Sequence, residues 1–177
     1  MNFFIYSLLL FPLLTIAQEV QIGDLTHGGI VFYVDETGEH GLVAALEDLI
    51  GCYEWGCAGV DVVSSGADAQ AIGSGLQNTL DIVAGCSEAT IAASEALTYE
   101  SAGFTDWYLP SKDELMEMYN VIENGHLQVN TLAFSNGWHW TSSEHSNYGA
   151  WGVSFDGGYT LNLHKNISGR VRVIRAF

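Results

Sequence analysis

The C-terminal part of the chain begins with residues 138–159, WHWTSSEHSNYGAWGVSFDGGY. Three of the five tryptophans of the chain lie in this stretch, separated by Ser, Asn, Gly, His and Tyr. Rigid aromatic side chains set among small, adaptable polar residues are typical of a recognition surface. Turn residues at 146–149 and 156–158 divide the stretch into short strands. The sequence therefore predicts a β-rich C-terminal region whose surface binds a ligand.

Charge is distributed unevenly along the 177 residues. The formal net charge is −16, and residues 1–111 hold fifteen carboxylates and neither Lys nor Arg. Such an acidic surface repels phosphate backbones, so nucleic acid is not an expected partner. A strongly acidic surface of this kind is typical of a protein that stays soluble outside the cell. Calcium binding is the alternative, but the sequence has no Asp-x-Asp-x-Asp-Gly loop, so we expect no cofactor.

The first residues have the features of a secretory signal peptide. An apolar run from Phe3 to Ile16 ends in small residues, and cleavage is expected after Ala17. No Lys or Arg precedes the run, so an uncleaved N-terminal anchor is the alternative. We predict a signal peptide over 1–17, a single domain over 18–177, a secreted or cell-surface location and no membrane insertion after cleavage.

A β-hairpin is predicted near the start of the mature chain. Residues Gly29–Val34 are rich in β-branched and aromatic side chains, residues 35–41 contain turn formers, and Leu42–Leu46 returns as a second strand. Residues 51–68 are rich in Gly, Cys and Ser and are predicted to form a loop.

Helices are predicted in the middle of the chain. Over Ala69–Ala84, apolar residues recur at helical spacing, namely Ile72, Leu76, Leu80 and Val83. Residues Thr90–Tyr99 form a second, short helical piece. Ser111 and Glu114 form a capping box, which starts a helix that extends to about Asn124. Its apolar stripe is predicted to face the core and consists of Leu115, Met118, Tyr119 and Ile122.

The closing segment alternates as a strand over Arg170–Val173. The alternation slips at Val173–Ile174, which indicates either a bulge or a strand covered on both faces. The three arginines, Arg170, Arg172 and Arg175, are expected to pair with the acidic N-terminal half.

An ordered set of short motifs covers nearly all of residues 23–177. It consists of Gly28–Val34, Trp55–Cys57, Gly66–Asp68, Ala71–Thr79, Ile82–Cys86, Asp106–Leu115, Trp140–Glu144, Ala150–Trp151, Arg170–Arg172 and Arg175–Phe177. The set resembles the family named for the C-terminal domain of the Legionella collagen-like protein, which is related to the Fibrobacter succinogenes major paralogous domain. The resemblance implies an α+β, C-type-lectin-like fold. In such a fold two main helices pack on a twisted antiparallel sheet, with the N- and C-terminal strands paired.

The resemblance also implies where a ligand would bind. In proteins like these, the segment before the final Arg-Ala-Phe faces the ligand, and in some relatives a diversity-generating retroelement rewrites it. The ligand-facing stretches would be 146–149, 152–154 and 156–166, with Trp140, Trp151 and Phe155 as framework. The ligand-binding residues expected on this basis are His145, Asn147, Tyr148, Ser154, Asp156, Tyr159, Leu161, Asn162 and His164.

Three cysteines allow one disulfide and one free thiol in an exported chain. The resemblance implies that Cys57 pairs with Cys86 and leaves Cys52 free. The residues themselves do not exclude the alternative, a disulfide between Cys52 and Cys57.

No catalytic motif stands out, and the protein is predicted not to be an enzyme. The sequence has no Gly-x-Ser-x-Gly, Walker loop or His-Glu-x-x-His. If residues 139–145 are a strand, His139 and His145 share one face and Glu144 lies on the other, so a metal site would need a bulge or distant ligands. The motifs of calcium-dependent sugar-binding lectins are absent, and no metal is predicted.

Two functional hypotheses follow. The first is a secreted or surface-displayed, adhesin- or receptor-like module that binds an extracellular glycan or protein through Tyr148, Tyr159 and the polar residues beside them. The second is a structural subunit of an extracellular appendage or matrix that self-assembles. Both hypotheses allow the protein to form a homo-oligomer.

Overall fold

The computed structural model of the chain describes residues 19–62, 67–122 and 136–177. The predicted signal peptide lies outside the described residues. Three helices and two antiparallel sheets are found in this part of the chain, so the predicted α+β class is confirmed. The two main helices are present, together with the short helical piece predicted over Thr90–Tyr99, but the expectation of a single sheet is wrong, because the strands form two sheets. No helix in the described ranges has the length and apolar character needed to cross a membrane.

The first sheet is built on the predicted hairpin and has the strand order β1-β2-β3-β7. Its strands are β1 (Leu25–Thr26), β2 (Gly29–Val34), β3 (Gly41–Ala44) and β7 (Ile174–Ala176). The last strand pairs with β3 and not with the first strand, which corrects the predicted pairing of the N- and C-terminal strands. The outer edge of β2 is already occupied by β1, so the C-terminal strand adds to the other side of the hairpin.

The second sheet consists of β4 (Trp138–Ser146), β5 (Gly149–Ser154) and β6 (Tyr159–His164), in that order. The connections between these strands fall at the two predicted turns. The segment predicted as the closing strand, residues 170–173, does not form a continuous ladder with β4, β5 and β6. It crosses from the second sheet to the first, so the strands form two sheets.

The crossing segment hydrogen-bonds to both sheets. Trp140 donates its backbone N–H to the Arg170 carbonyl at 2.9 Å, and Ala45 donates to the Val173 carbonyl at 3.0 Å. Regular strand structure begins only with β7, later than the predicted Arg170–Val173. Val171, Arg172 and Val173 are all buried, so the segment is covered on both faces, but it is not the regular strand that was predicted.

Helix α1 spans Gly75–Gly85 and starts later than predicted. Gly73 has a φ of +93°, a left-handed conformation that stops any helix arriving from Ala69. The Gly73 N–H is instead bound by the Glu114 carboxylate at 2.8 Å.

The apolar residues that indicated α1 do not enter the core. Ile72, Leu76, Leu80 and Val83 are each 39–45 % exposed. The opposite face is buried and includes Asn78 and Thr79. Asn78 donates to the Ala69 carbonyl at 2.6 Å, and the Thr79 hydroxyl accepts the Leu109 N–H at 3.1 Å. Polar residues can occupy the buried face because they have hydrogen-bond partners there.

Helices α2 (Ala92–Thr98) and α3 (Lys112–Ile122) lie where the sequence predicts them. The capping box is confirmed: Glu114 accepts the Ser111 N–H at 2.7 Å, and Ser111 accepts the Glu114 N–H at 3.3 Å. Leu115 and Met118 of the predicted stripe are fully buried. The predicted end of α3 near Asn124 lies outside the described residues.

The core has two parts, one on each side of β2. Val31 packs in one part with Trp55, Trp107 and Trp140. The neighbouring positions on β2 point the other way, into the cluster formed with Leu115, Met118 and Val153. Residues of α3 thus cover one face of the second sheet.

Candidate functional site

The predicted ligand-facing residues lie on the β4-β5-β6 sheet and its turns. Those exposed are His145, Asn147, Tyr148, Asp156, Tyr159, Asn162 and His164, and Leu161 is half-buried. Ser154 is only 3 % exposed, and the other residues of 152–154 are buried as well. The assignment of Ser154 to a ligand-facing stretch is therefore corrected. Its strand, β5, is the middle strand of the sheet, covered by its neighbours and by α3.

Six of the seven exposed residues fall into two groups at opposite ends of β6, and the seventh, Asn162, lies on β6 between them. Gly149 pairs with His164, and Ser154 pairs with Tyr159. Five residue steps of about 3.4 Å separate Tyr159 from His164, a distance of roughly 17 Å. We call the group His145, Asn147, Tyr148 and His164 the tip, and the group Asp156 and Tyr159 the far end. One small ligand cannot contact both groups within a single copy.

Aromatic side chains dominate the tip. The Tyr148 ring is 54 % exposed, and its centroid lies 5.7 Å from that of His164. The His145 ring lies edge-on to Trp151 at 4.8 Å. The carbonyl of Asn147 accepts the Gly59 N–H at 2.8 Å, so a neighbouring loop holds the turn in place.

A buried lysine anchors the tip from below. Lys165 directly follows β6 and donates its backbone N–H to the Tyr148 carbonyl at 3.0 Å. Its ammonium group is fully buried, forms an ion pair with Glu144, donates to the Val60 carbonyl at 2.9 Å and lies 4.5 Å from the centre of the Trp55 ring. One side chain thus ties β6 to β4 and to the loop that follows Trp55.

Glu144 completes this anchor. Its Oε1 atom also accepts the Val62 N–H at 3.1 Å, and its backbone N–H donates to the Ala67 carbonyl at 2.8 Å. The Glu144–Lys165 pair was not predicted from the sequence. Glu144 lies in a family-like motif, but nothing in the sequence around Lys165 indicates burial.

The loop beside the tip is closed by the disulfide between Cys57 and Cys86, as the resemblance implied. Cys52 is free and exposed. The carboxylate of Glu88 accepts the Cys57 N–H at 2.9 Å. This group is the candidate metal cluster found within the described ranges, but its sulfur atoms are joined to each other and offer no thiolate ligand.

The histidines predicted to share a face are separated. His139 is fully buried with Nε2 3.1 Å from Asp48, whereas His145 is exposed at the tip. Two register shifts in β4, on either side of Glu144, break the simple alternation. These bulges place Glu144 in the interior beside Lys165 and do not bring it to a histidine.

Two of the three arginines pair with acidic residues of the N-terminal half, as predicted. Arg172 donates to Asp48 at 2.7 Å, and Arg175 binds both oxygens of Asp106, at 2.7 and 2.8 Å. These pairs fix the crossing segment and β7 to the loops that contain Asp48 and Asp106, so we assign them to the framework.

Clefts occur elsewhere on the surface. One of about 520 Å³ is lined by residues that include Cys52, Glu54, Glu88, Thr90 and Ser168. It contains none of the predicted ligand-binding residues. Its carboxylates are exposed and solvated, so we place the candidate site on the sheet and its tip.

Fold and surface together define an α+β module that presents one face and one end of a three-stranded sheet. Residues 55–175 match the family model of the Lcl C-terminal domain. The match covers more than half of the chain, so the protein belongs to the Lcl C-terminal domain family, as the sequence motifs predicted.

Similarity to individual proteins is limited. No curated protein matches the chain. Among solved structures, the chain is similar to a fimbrial protein from Bacteroides ovatus, with a TM-score of 0.50 and 15 % sequence identity, over 76 % of this chain and 35 % of that one. The chain thus spans about a third of the length of that protein, and at this identity the similarity concerns the fold.

Proposed function

We propose that the protein is a secreted or surface-displayed module that binds an extracellular glycan or protein through the tip. The observation that carries this proposal is the pair of exposed rings, Tyr148 and His164, whose centroids are 5.7 Å apart on a backbone anchored by buried Lys165. Rigid aromatic side chains on a fixed backbone provide contact area at little entropic cost.

The charge of the tip favours an uncharged ligand. Its four side chains include neither Lys or Arg nor Asp or Glu, although the whole chain carries a net charge of −16. A flat aromatic ring beside amide and imidazole groups suits a neutral sugar or a polar, aromatic protein surface. Strongly anionic ligands are disfavoured because the remaining surface would repel them.

Family membership and the fold similarity to a fimbrial protein support a location at the cell surface or in an appendage. The C-type-lectin-like arrangement implied by the motifs is part of the same proposal. We also include in the proposal that a diversity-generating retroelement rewrites the ligand-facing segment. Because 152–154, Gly149 and Lys165 are buried, we expect any diversification to be confined to 146–148, 156–164 and 166.

Binding to an array of neutral oligosaccharides and to immobilised collagen and fibronectin tests the proposal. We expect Tyr148→Ala and His164→Ala each to weaken binding by about 10-fold or more, which corresponds to about 1.4 kcal/mol. Tyr159→Ala, at the far end, is the matched control and should change affinity less than about 2-fold. Near-UV circular dichroism checks that each variant is folded.

A folded Tyr148→Ala variant with unchanged affinity would overturn the assignment to the tip. A loss confined to Tyr159→Ala would move the site to the far end. Absence of binding to every probe, together with reversible assembly into species larger than a dimer, would favour the second hypothesis, a structural subunit. That alternative has its own support in the fimbrial fold similarity.

A further inference from the structure

Strand β6 forms an edge of the second sheet. It bonds to β5 on one side, and within the described part of the chain no strand pairs with its other side. Four of its six residues are exposed, and Leu161 and Leu163 are half-buried. Such an edge offers unpaired backbone groups to another strand.

The hydrogen bonds at the tip show which backbone groups point outward. Lys165 donates to Tyr148, whereas the Gly149 N–H is bound by the Ser146 hydroxyl at 3.1 Å and not by His164. Bonded and non-bonded pairs alternate along an antiparallel ladder. Leu161 and Leu163 therefore bond to β5, and Thr160, Asn162 and His164 direct their backbone groups away from it.

This edge lacks the features that normally prevent pairing. Residues 159–164, YTLNLH, include no charged residue and no proline. Natural edge strands are commonly protected by lysine, proline or inward-pointing charge. In a chain with a net charge of −16, an uncharged edge is where two copies can meet with the least repulsion.

We propose that β6 pairs with β6 of a second copy of this chain, antiparallel and around a two-fold axis at Asn162. This register places the outward groups of Asn162 opposite those of Asn162 in the second copy, and Thr160 opposite His164. Leu161 and Leu163 point to the opposite face of the sheet from Asn162, and there Leu161 lies opposite Leu163 of the second copy. The four half-buried leucines of the two copies thus lie side by side in one apolar strip. The same surface serves both copies, as a two-fold interface requires.

The pairing has a consequence for the tip. Thr160 of the second copy lies about 5.5 Å from His164, measured between Cα atoms, as in any bonded antiparallel pair. The far end of one copy therefore approaches the tip of the other. The two groups that are about 17 Å apart within one copy become neighbours across the dimer.

A single strand pair of this length buries less than the roughly 1,000 Å² typical of stable interfaces. We therefore expect a weak dimer with a dissociation constant of about 100 μM, measured by sedimentation velocity up to about 1 mM protein. The protein should carry Cys52→Ser, because an exposed thiol could link copies covalently.

The test is Thr160→Pro against Thr160→Ala. Proline removes the outward N–H without breaking a bond to β5, and such positions on edge strands tolerate it. We expect Thr160→Pro to weaken the dimer at least about 10-fold and Thr160→Ala to change it less than about 3-fold. Asn162→Pro removes the central pair of bonds and provides the same test if Thr160→Pro does not fold.

A protein that stays monomeric at about 1 mM, or a dimer that persists in both folded proline variants, would overturn the inference. Tyr148→Ala should weaken ligand binding but leave the dimer intact. The proposed dimer and the proposed ligand site can therefore be disproved separately.

Discussion

Strands β4 and β6 belong to the same three-stranded sheet but have opposite surroundings. β4 is buried over most of its length although its centre reads Thr-Ser-Ser-Glu, whereas β6 is largely exposed although it carries two leucines. Polarity therefore does not decide which strand enters the core. The difference lies in what surrounds each strand and in whether its polar groups find partners.

The polar groups of β4 are bound by the protein itself. The Thr141 hydroxyl donates to the Trp151 carbonyl at 2.7 Å, and the Ser143 hydroxyl donates to the Ala69 carbonyl at 2.7 Å. Glu144 has its ion pair with Lys165. On β6, exposed side chains meet solvent or, as we propose, a ligand or a second copy. Two substitutions test this contrast, and a third, at an ion pair outside both strands, gives the smaller loss expected where one partner is exposed.

The largest effect is expected at the buried ion pair. Lys165→Met leaves the Glu144 carboxylate buried without its counter-charge, which costs about 3–5 kcal/mol of unfolding free energy. Replacing both partners with apolar residues, Lys165→Met with Glu144→Leu, should cost clearly less. Urea unfolding with the disulfide intact measures both variants. A loss below about 1 kcal/mol for Lys165→Met would mean that burial does not distinguish β4 from β6.

An intermediate effect is expected at Ser143. Its hydroxyl also accepts the N–H of Lys112, the first residue of α3, at 3.0 Å. Ser143→Ala leaves that helix N–H without its acceptor, whereas the Ala69 carbonyl keeps its hydrogen bond from Asn78, and we expect a loss of about 1–3 kcal/mol. Thr160→Ala on β6 is the matched control and should stay within about 0.5 kcal/mol. Equal losses in urea unfolding would contradict the contrast between the two strands.

The smallest effect is expected at the ion pair between exposed Asp106 and buried Arg175. The hydrogen bond from Arg175 lowers the pKa of Asp106 below its ordinary value of 3.8. The pair therefore contributes stability above that value, and the contribution is lost as the pH falls through the folded-state pKa.

Because the Asp106 side chain is 57 % exposed, Asp106→Asn should cost less than about 1 kcal/mol at pH 7. The difference from the parent chain should shrink in acid, which unfolding curves at neutral and acidic pH would show. If Asp106→Asn lowered the unfolding free energy more at acidic than at neutral pH, the pKa of Asp106 would not be lowered in the folded state.

Local signals in the sequence predicted much of the fold. The hairpin, the capping box at Ser111 and the turns of the second sheet depend on neighbouring residues, and all are confirmed. Helix α1 shows the limit of such signals. Its spacing predicted a helix correctly, but the four apolar residues that make this spacing face outward, whereas Asn78 and Thr79 find partners in the core.

The candidate site shows the same division. The sequence pointed to nine residues from His145 to His164, and all but Ser154 and Leu161 are exposed. Their separation into the tip and the far end could not be inferred, because it depends on the register of β5 with β6. The burial of Lys165 was likewise hidden, because its partners Glu144 and Val60 are distant in sequence.

By itself, the sequence determined the α+β class, the family, the positions of turns and helix starts, and the stretch in which a ligand would be sought. These properties follow from residue type and short-range spacing. Only the tertiary structure decided which strand is buried, which face of α1 meets the core, and which edge of the second sheet is unpaired. Those outcomes depend on hydrogen bonds and packing between residues far apart in the chain, where a polar group becomes a core residue once its partner is in place.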